Sequence, residues 1–291
     1  PSPSLRDAME NPVRDVNRIV LPPVSFQHEH EKVNERWPAA VEFIKTNRLN
    51  EVFEGTRDKV GIVVQGGLYN TLLRTLERLG LADIYGETKI PIYVLNVAYP
   101  LVDDEVVTFC SEKDAVLLVE EGQPNYIEQN INSILRKSDC RTVFVGKDVF
   151  PLAGEYTAQV LRTGVVSFLR EHDTNFVAPE DPMHQVAGFV SEIDGLVPPR
   201  PPGLCTGCPE RPVFASLKML QKEMGDFHVS ADIGCHLFSI LPPFNIGNTT
   251  MGYGLGAAGA SAFNTESNRP AISIMGDGGF WHNGLTSGIG N

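Results

Sequence analysis

Two places along this 291-residue chain carry residue types that could do chemistry. The first is Ala271-Ile-Ser-Ile-Met275, an apolar run short enough for a buried strand, which delivers Gly276-Asp277-Gly278-Gly279. An aspartate at the carboxyl end of a parallel strand, set between glycines and ahead of a helix, suits a divalent cation held together with a diphosphate. The carboxylate takes the hard cation, the glycine backbone lets phosphate approach, and the helix start offers unpaired N–H groups. The same residues serve as well for a strand-to-helix turn in which the aspartate is only a cap. The second place is Cys205-Thr-Gly-Cys208, to which Cys235 and His236 add further donors. Zinc or iron–sulfur ligation, a redox dithiol, and free thiols buried at a tight turn are its three readings. Adjacent Cys235 and His236 rarely reach one ion, no second C-x-x-C follows, and no thioredoxin-like strand comes before the pair, so thiols at a turn are the plainest. Among the histidines, His228 falls within an expected strand as a satisfied core residue, while His236 and His282 lie beside glycine-rich turns. Gly66-Gly67 lacks a full G-x-G-x-x-G and reads as a structural turn.

Composition sets limits on what these residues can serve. With 24 Lys and Arg against 36 Asp and Glu, the net charge of −12 argues against sequence-independent nucleic-acid binding, which draws on a basic surface. The charge is uneven: 19 against 30 before residue 200, and 5 against 6 from there on. The back third also holds 15 of the 27 glycines, a concentration that marks backbone approached closely by a ligand. Five cysteines at irregular spacing do not make a disulfide framework and point to a reducing, cytoplasmic setting. No apolar run approaches a membrane span, Pro1-Ser-Pro-Ser4 is not a signal peptide, and the lack of an initiator Met points to a piece of a longer chain.

The elements that must position the chemistry follow from periodicity. Residues 1–56 read as a connecting arm in which Val33, Trp37, Val41 and Ile44 recur at helical spacing, with Pro38 suited to a first helical turn. Strands are expected over 60–64, 90–96, 115–120 and 142–145, alternating with helices over 68–79, 102–111 and 125–137, a pattern for a small parallel α/β domain over 57–172. A covering helix fits 155–170, and Asp103-Asp104-Glu105 suits a helix start. Residues 173–202 carry six prolines and read as an extended linker, with a domain boundary near 200. Strand and helix alternation resumes over 203–291 with a helix over 212–224, a strand over 228–233, a small-residue helix over 253–263, a strand over 271–275 and a helix from Trp281.

Four motifs occur in one order: Arg200-Pro-Pro-Gly-Leu-Cys205-Thr-Gly-Cys208-Pro-Glu-Arg211, Ala231-Asp-Ile-Gly-Cys235-His-Leu, Thr250-Met251-Gly-Tyr-Gly-Leu-Gly256, and Met275-Gly-Asp277-Gly-Gly-Phe-Trp-His282-Asn-Gly284. Together they resemble the diphosphate-binding domain of thiamine diphosphate enzymes, and more narrowly the large subunits of indolepyruvate:ferredoxin oxidoreductases within the 2-oxoacid:ferredoxin oxidoreductase family. Val116-Leu-Leu-Val-Glu120-Glu121-Gly-Gln-Pro-Asn-Tyr-Ile resembles the transketolase C-terminal-like domain that precedes it there. The resemblance implies a transketolase C-terminal-like parallel-sheet domain followed by a thiamine diphosphate-binding α/β domain, incomplete at its C-terminus over 203–291. It implies that Asp277 binds Mg²⁺, that Gly276, Gly278 and Gly279 shape the diphosphate turn, that Gly207, Cys208, Gly234, Cys235, Met251 and Gly252 line the cofactor, and that His282 faces its reactive thiazolium region. One departure is Cys-Thr-Gly-Cys-Pro-Glu where the family's common form is Cys-Pro-Gly-Cys-Pro-His.

The activity so implied is oxidative decarboxylation of an aryl 2-oxo acid to the acyl-coenzyme A, with electrons passing through iron–sulfur clusters to ferredoxin and with a second, smaller subunit as partner. The clusters, the activating Glu and the remaining metal ligands are expected outside this segment. Asn291, only 14 residues after Asp277, stands too close to be the family's metal-binding Asn. A non-redox thiamine diphosphate decarboxylase and a non-catalytic Cys/His metal-binding module are the alternatives.

Overall fold

The computed structural model describes residues 3–12, 15, 19–181, 183–198, 201–264 and 270–290. Pro1, Ser2, Pro182, Pro199, Arg200 and Asn291, which entered the sequence reading, lie outside them. Two compact units divide the chain, Pro1–Pro182 and Met183–Asn291.

The first unit opens with α1 (Pro3–Glu10), α2 (Val24–Glu31) and α3 (Trp37–Thr46), the last with Pro38 in its first turn as expected. Of the helical stripe, Ile44 is buried, whereas Val33 and Trp37 stay exposed. The next elements are β1 (Glu51–Phe53), β2 (Val60–Gln65), α4 (Tyr69–Arg78), β3 (Ile92–Leu95), α5 (Asp103–Ser111), β4 (Ala115–Val119), α6 (Tyr126–Lys137), β5 (Val143–Val145) and α7 (Ala158–His172). The sheet order is β1-β3-β2-β4-β5. β2, β3, β4 and β5 pair in parallel as the alternation requires. β1 is an addition: it pairs antiparallel with β3, Val52 opposite Tyr93. Three residues are too few to show a period of two, so this edge strand was invisible in the sequence. Its Phe53 stacks on Tyr69 at 5.3 Å between ring centroids.

Side chains alternate across each strand, so the continuous apolar runs feed two cores at once. Ile62, Val64, Ile92, Val94, Leu117 and Val119 face one side with residues of α4 and α7. Val63, Tyr93, Leu95, Val116 and Leu118 face the other with residues of α5 and α6. Beyond β4, the buried Glu120 has a local duty: its carboxylate accepts the backbone N–H groups of Ile127 at 2.9 Å and Glu128 at 3.0 Å, in the first turn of α6. These donors have no partner within a helix and must find one elsewhere. Glu120→Leu strands both, and we expect it to lower unfolding free energy by about 2–6 kcal/mol in urea titrations, on the basis of roughly 1–3 per buried unsatisfied group. A loss under about 0.5 kcal/mol, the size of an ordinary surface substitution, would remove this role.

The stretch 173–202 departs from its expected extended form. Asp173 and Asp181 pair with Arg57 and Arg162, tying 173–181 to the first unit. In the second unit α8 (Met183–Ile193) occupies much of the remainder. Val186, Phe189, Val190 and Ile193 recur at helical spacing between the prolines, and that local periodicity outweighs the proline count.

The second unit continues with α9 (Glu210–Met224), β6 (His228–Ala231), a 3-10 turn over Cys235–Ile240, α10 (Gly256–Asn264) and β7 (Ala271–Ile274). β6 and β7 pair in parallel, Ser230 opposite Ser273. Leu204, Phe214, Phe227, Val229 and Ile246 make the core of this unit. The small residues of α10 let its backbone lie close to the sheet: a Cβ on Gly259 would stand 2.6 Å from Ser230 Oγ, and one on Gly256 3.0 Å from Ser273 Oγ. After β7 the chain turns helical at Asp277, earlier than the expected Trp281, and continues as a π-helix over Phe280–Ile289.

Candidate functional site

Parallel pairing of β6 and β7 puts both carboxyl ends on one edge of the sheet, where 232–236 and 276–282 leave their strands. Asp232 follows β6 and is fully buried. Its Oδ1 accepts the N–H of Ile233 at 2.8 Å and its Oδ2 that of Gly254 at 2.7 Å. Asp232 N in turn donates to Ile274 O at 2.9 Å. A Cβ on Gly279 would stand 2.6 Å from Asp232 Oδ2, so glycine is needed where the turn after β7 passes this carboxylate. One buried aspartate thus joins the exit of β6, the 252–254 loop and the 276–279 turn.

Asp277 is exposed at the start of that turn, with Gly276 half-buried, Gly278 exposed and Gly279 buried. A side chain on Gly278 would collide with Tyr253 Oη. The Tyr253 ring lies 5.1 Å from the ring of His282, which is also exposed. Gly234 and Gly276 flank the buried ring of His236: a Cβ on the first would stand 2.5 Å, and on the second 3.6 Å, from His236 Cε1. Gly234, Gly276, Gly278, Gly279 and His282 therefore share one neighbourhood with Gly252 and its loop. Met251 reaches the α10 side instead, its Cγ 3.0 Å from where a Gly259 Cβ would be.

Gly207 and Cys208 belong to a different turn. Cys208 N donates to Cys205 O at 3.1 Å, Gly207 takes φ +77°, and the Arg211 guanidinium closes the turn on Cys205 O at 2.9 Å and Leu204 O at 2.5 Å. Cys205 and Thr206 border a cavity of about 720 Å³ lined also by Phe238, Leu241 and Phe244. Cys208 is half-buried, whereas Cys205 is exposed, which corrects the expectation of buried thiols at this turn. Cys235 is exposed and its neighbour His236 buried, so the two point apart. Among the described residues no three His, Cys, Asp or Glu side chains converge as a metal site. His228 is half-buried, bonds Thr249 Oγ1 at 3.0 Å and stacks on Phe263, and burial holds its pKa below the usual histidine value.

Thiol reactivity follows from these placements. Burial, with Cys140 nearby, pushes the Cys110 thiol up to about 12, leaving almost no thiolate at neutral pH. Iodoacetamide should label Cys205 and Cys235 in the native protein and Cys110 only after unfolding, as read by peptide mass spectrometry. Equal native labelling of Cys110 would contradict its burial.

Residues 232–288, which hold both strand exits and the glycine-flanked Asp277, match the family model described as "Thiamine pyrophosphate enzyme, C-terminal TPP binding domain". Over most of its length the chain is similar to proteins named indolepyruvate oxidoreductase subunit IorA. The protein of Methanothermobacter thermautotrophicus is 28% identical over 94% of this chain and 42% of its own length, and that of Thermococcus kodakarensis 27% over 94% and 42%. The Methanothermobacter marburgensis protein is 27% identical over 82% and 36%. The chain spans about two fifths of the length of these relatives. Among solved structures, a split-gene transketolase (an inactive β4 tetramer) is similar at a TM-score of 0.32, with 19% identity over 42% of each chain. A 2-oxoglutarate:ferredoxin oxidoreductase from Magnetococcus marinus gives 0.34, with 17% identity over 50% of this chain and 23% of that one. Among the described residues no helix is long and apolar enough to cross a membrane.

Sequence reasoning passed over Asp232, which stood unremarked in the Ala231-Asp-Ile-Gly motif. An aspartate directly after an apolar strand, followed by glycine two residues later, was the available signal.

Proposed function

We propose that this chain is the part of a thiamine-diphosphate-dependent oxidoreductase that holds the cofactor's diphosphate, in an enzyme that oxidises an aryl 2-oxo acid of the indolepyruvate kind to its acyl-coenzyme A. Electrons would leave through iron–sulfur clusters to ferredoxin, and a second, smaller subunit would complete the assembly. The observation that carries this reading is the exposed Asp277 between glycines at the carboxyl end of β7, inside the segment that matches the thiamine pyrophosphate family model.

The residues fit the group. Mg²⁺ is commonly bound by one or two carboxylates plus phosphate oxygens and water, so Asp277 alone suffices as a charged protein ligand. Gly278 and Gly279 let the turn lie against Tyr253 Oη and Asp232 Oδ2, where a side chain would collide, and so keep its backbone in place beside Asp277. Bound there, thiamine diphosphate supplies the nucleophile and the electron sink that decarboxylation of a 2-oxo acid requires. Asp277 would neutralise diphosphate charge through the metal, Gly234 and Gly252 would keep the backbone open to the cofactor, and His282 beside Tyr253 would stand on the substrate side. Gly207, Cys208, Cys235 and Met251 would complete the lining.

The full-length protein with its partner subunit tests the reading. Indolepyruvate should be consumed in a coenzyme A-dependent manner, with CO₂ released and ferredoxin or a viologen dye reduced. Aldehyde release without reduction of any acceptor would favour the non-redox decarboxylase.

A further inference from the structure

The stretch Glu120-Glu121-Gly-Gln-Pro-Asn-Tyr126 of the first unit has no part in the thiamine diphosphate reading, yet it lies where a parallel sheet most often holds a ligand. β3 and β4 flank β2 on opposite sides. The chain leaving β2 enters α4, which packs with Ile62 and Val64 on one face of the sheet, whereas the chain leaving β4 enters α6, which packs with Val116 and Leu118 on the other. Adjacent parallel strands whose connections part in this way leave a crevice between their carboxyl ends, the usual ligand position of an open α/β sheet. Here that crevice is a cavity of about 550 Å³, bordered by Gln65 at the end of β2, by Tyr99 beyond β3, by Glu120 and Glu121 beyond β4, and by Tyr126 and Asn130 of α6.

The lining decides the sign of the charge that fits. A ligand at such a crevice is commonly an anion seated on the first N–H groups of the following helix. In this protein those of Ile127 and Glu128 are already taken by the Glu120 carboxylate. Lys147 is turned to the Glu120 carbonyl at 2.6 Å and the Tyr156 hydroxyl at 2.7 Å, and among the described residues that line the cavity there is no Lys, Arg or His. The exposed charge at its border is Glu121, held by Tyr156 N, which donates to Oε2 at 3.3 Å, and by its own N–H, which donates to Gln65 Oε1 at 2.8 Å. Tyr99 is 70% and Tyr126 64% exposed, so both rings keep open faces, and Trp37 packs edge-on against Tyr99 at 5.2 Å. Aromatic faces attract a cation, and a carboxylate beside them takes its N–H groups.

We propose that this cavity binds a small planar organic cation of the amidinium or guanidinium kind, with its flat face on a tyrosine ring and its N–H groups on Glu121. The volume falls in the range of small-molecule sites. The acidity of the chain before residue 200, 19 Lys and Arg against 30 Asp and Glu, favours the same sign of charge. The assignment stands apart from the cofactor reading, since every residue in it belongs to the first unit.

Calorimetric titration of the full-length protein with its partner subunit tests it with three probes of one shape: benzamidine, which is cationic, benzamide, which is neutral, and benzoate, which is anionic. We expect one saturable benzamidine site per chain, weakened by added salt, and no uptake of benzamide or benzoate over the same concentrations. Tyr126→Ala should weaken benzamidine binding about twofold to thirtyfold, the range of a cation on an aromatic face. Glu121→Gln keeps an acceptor for Tyr156 N and should cost about twofold to fivefold, the scale of an exposed ion pair. Both side chains are exposed, so both variants should melt with the wild type. Benzamide binding as tightly as benzamidine would show that the cavity reads no charge, and the proposal would be overturned. The same holds if neither substitution changes the affinity, because the cation then sits elsewhere, or if no benzamidine is taken up. Uptake confined to the chain freed of its partner would assign the cavity to a side chain of that partner, which also overturns a small-ligand site.

Discussion

Asp277→Asn is expected to weaken Mg²⁺-dependent binding of thiamine diphosphate by more than about a hundredfold, exceeding the 10–100-fold that substitutions around a metal's direct ligands typically cost. The side chain keeps its volume and one oxygen but loses the charge that a small, hard cation requires. Because Asp277 is exposed, the variant should melt within the range of an ordinary surface substitution, about 0.5 kcal/mol of the wild type. Calorimetric titration at fixed Mg²⁺, alongside thermal melting, separates the two effects. Unchanged affinity would remove Asp277 from the metal site, and with it the strongest support for the cofactor.

Asp232→Asn should behave in the opposite sense, losing stability first and binding as a consequence. The carboxylate takes one N–H on each oxygen, from Ile233 and from Gly254, in a fully buried position. An asparagine can match only one of them, because its NH₂ would face the other donor. A buried donor left unpaired costs about 1–3 kcal/mol. For a unit of roughly a hundred residues each kcal/mol corresponds to about 4–8 °C, so the melting transition of this unit should fall visibly. Differential scanning calorimetry reads the shift. Since Asp232 Oδ2 also abuts Gly279, weaker cofactor binding should accompany the lower transition. A variant that melts like the wild type would mean that the carboxylate is not what joins the two strand exits to the 252–254 loop.

These two aspartates mark how far the sequence could be read. Asp277 was legible because its whole context is local: an apolar strand, two flanking glycines and the start of a helix lie within ten residues, and short-range steric preference decides each. The strands of the first unit were legible for a related reason, since strands buried on both faces must be apolar throughout. Asp232 was not legible, although its motif was in view. Its importance comes from Gly254 and Gly279, 22 and 47 residues further on, which reach it only after β6 and β7 pair.

The same division holds elsewhere. Sequence alone determined the alternation of the four parallel strands with their helices in the first unit, the Pro38 helix start, the order of the four motifs and the excess of glycine in the back third, all properties carried by neighbouring residues or by composition. Tertiary structure alone decided that β1 joins the sheet antiparallel, that Cys235 is exposed and His236 buried, and that the glycines after β6 and β7 flank one imidazole. Burial and hydrogen-bond pairing depend on which distant segments meet, and no periodicity along the chain encodes that meeting.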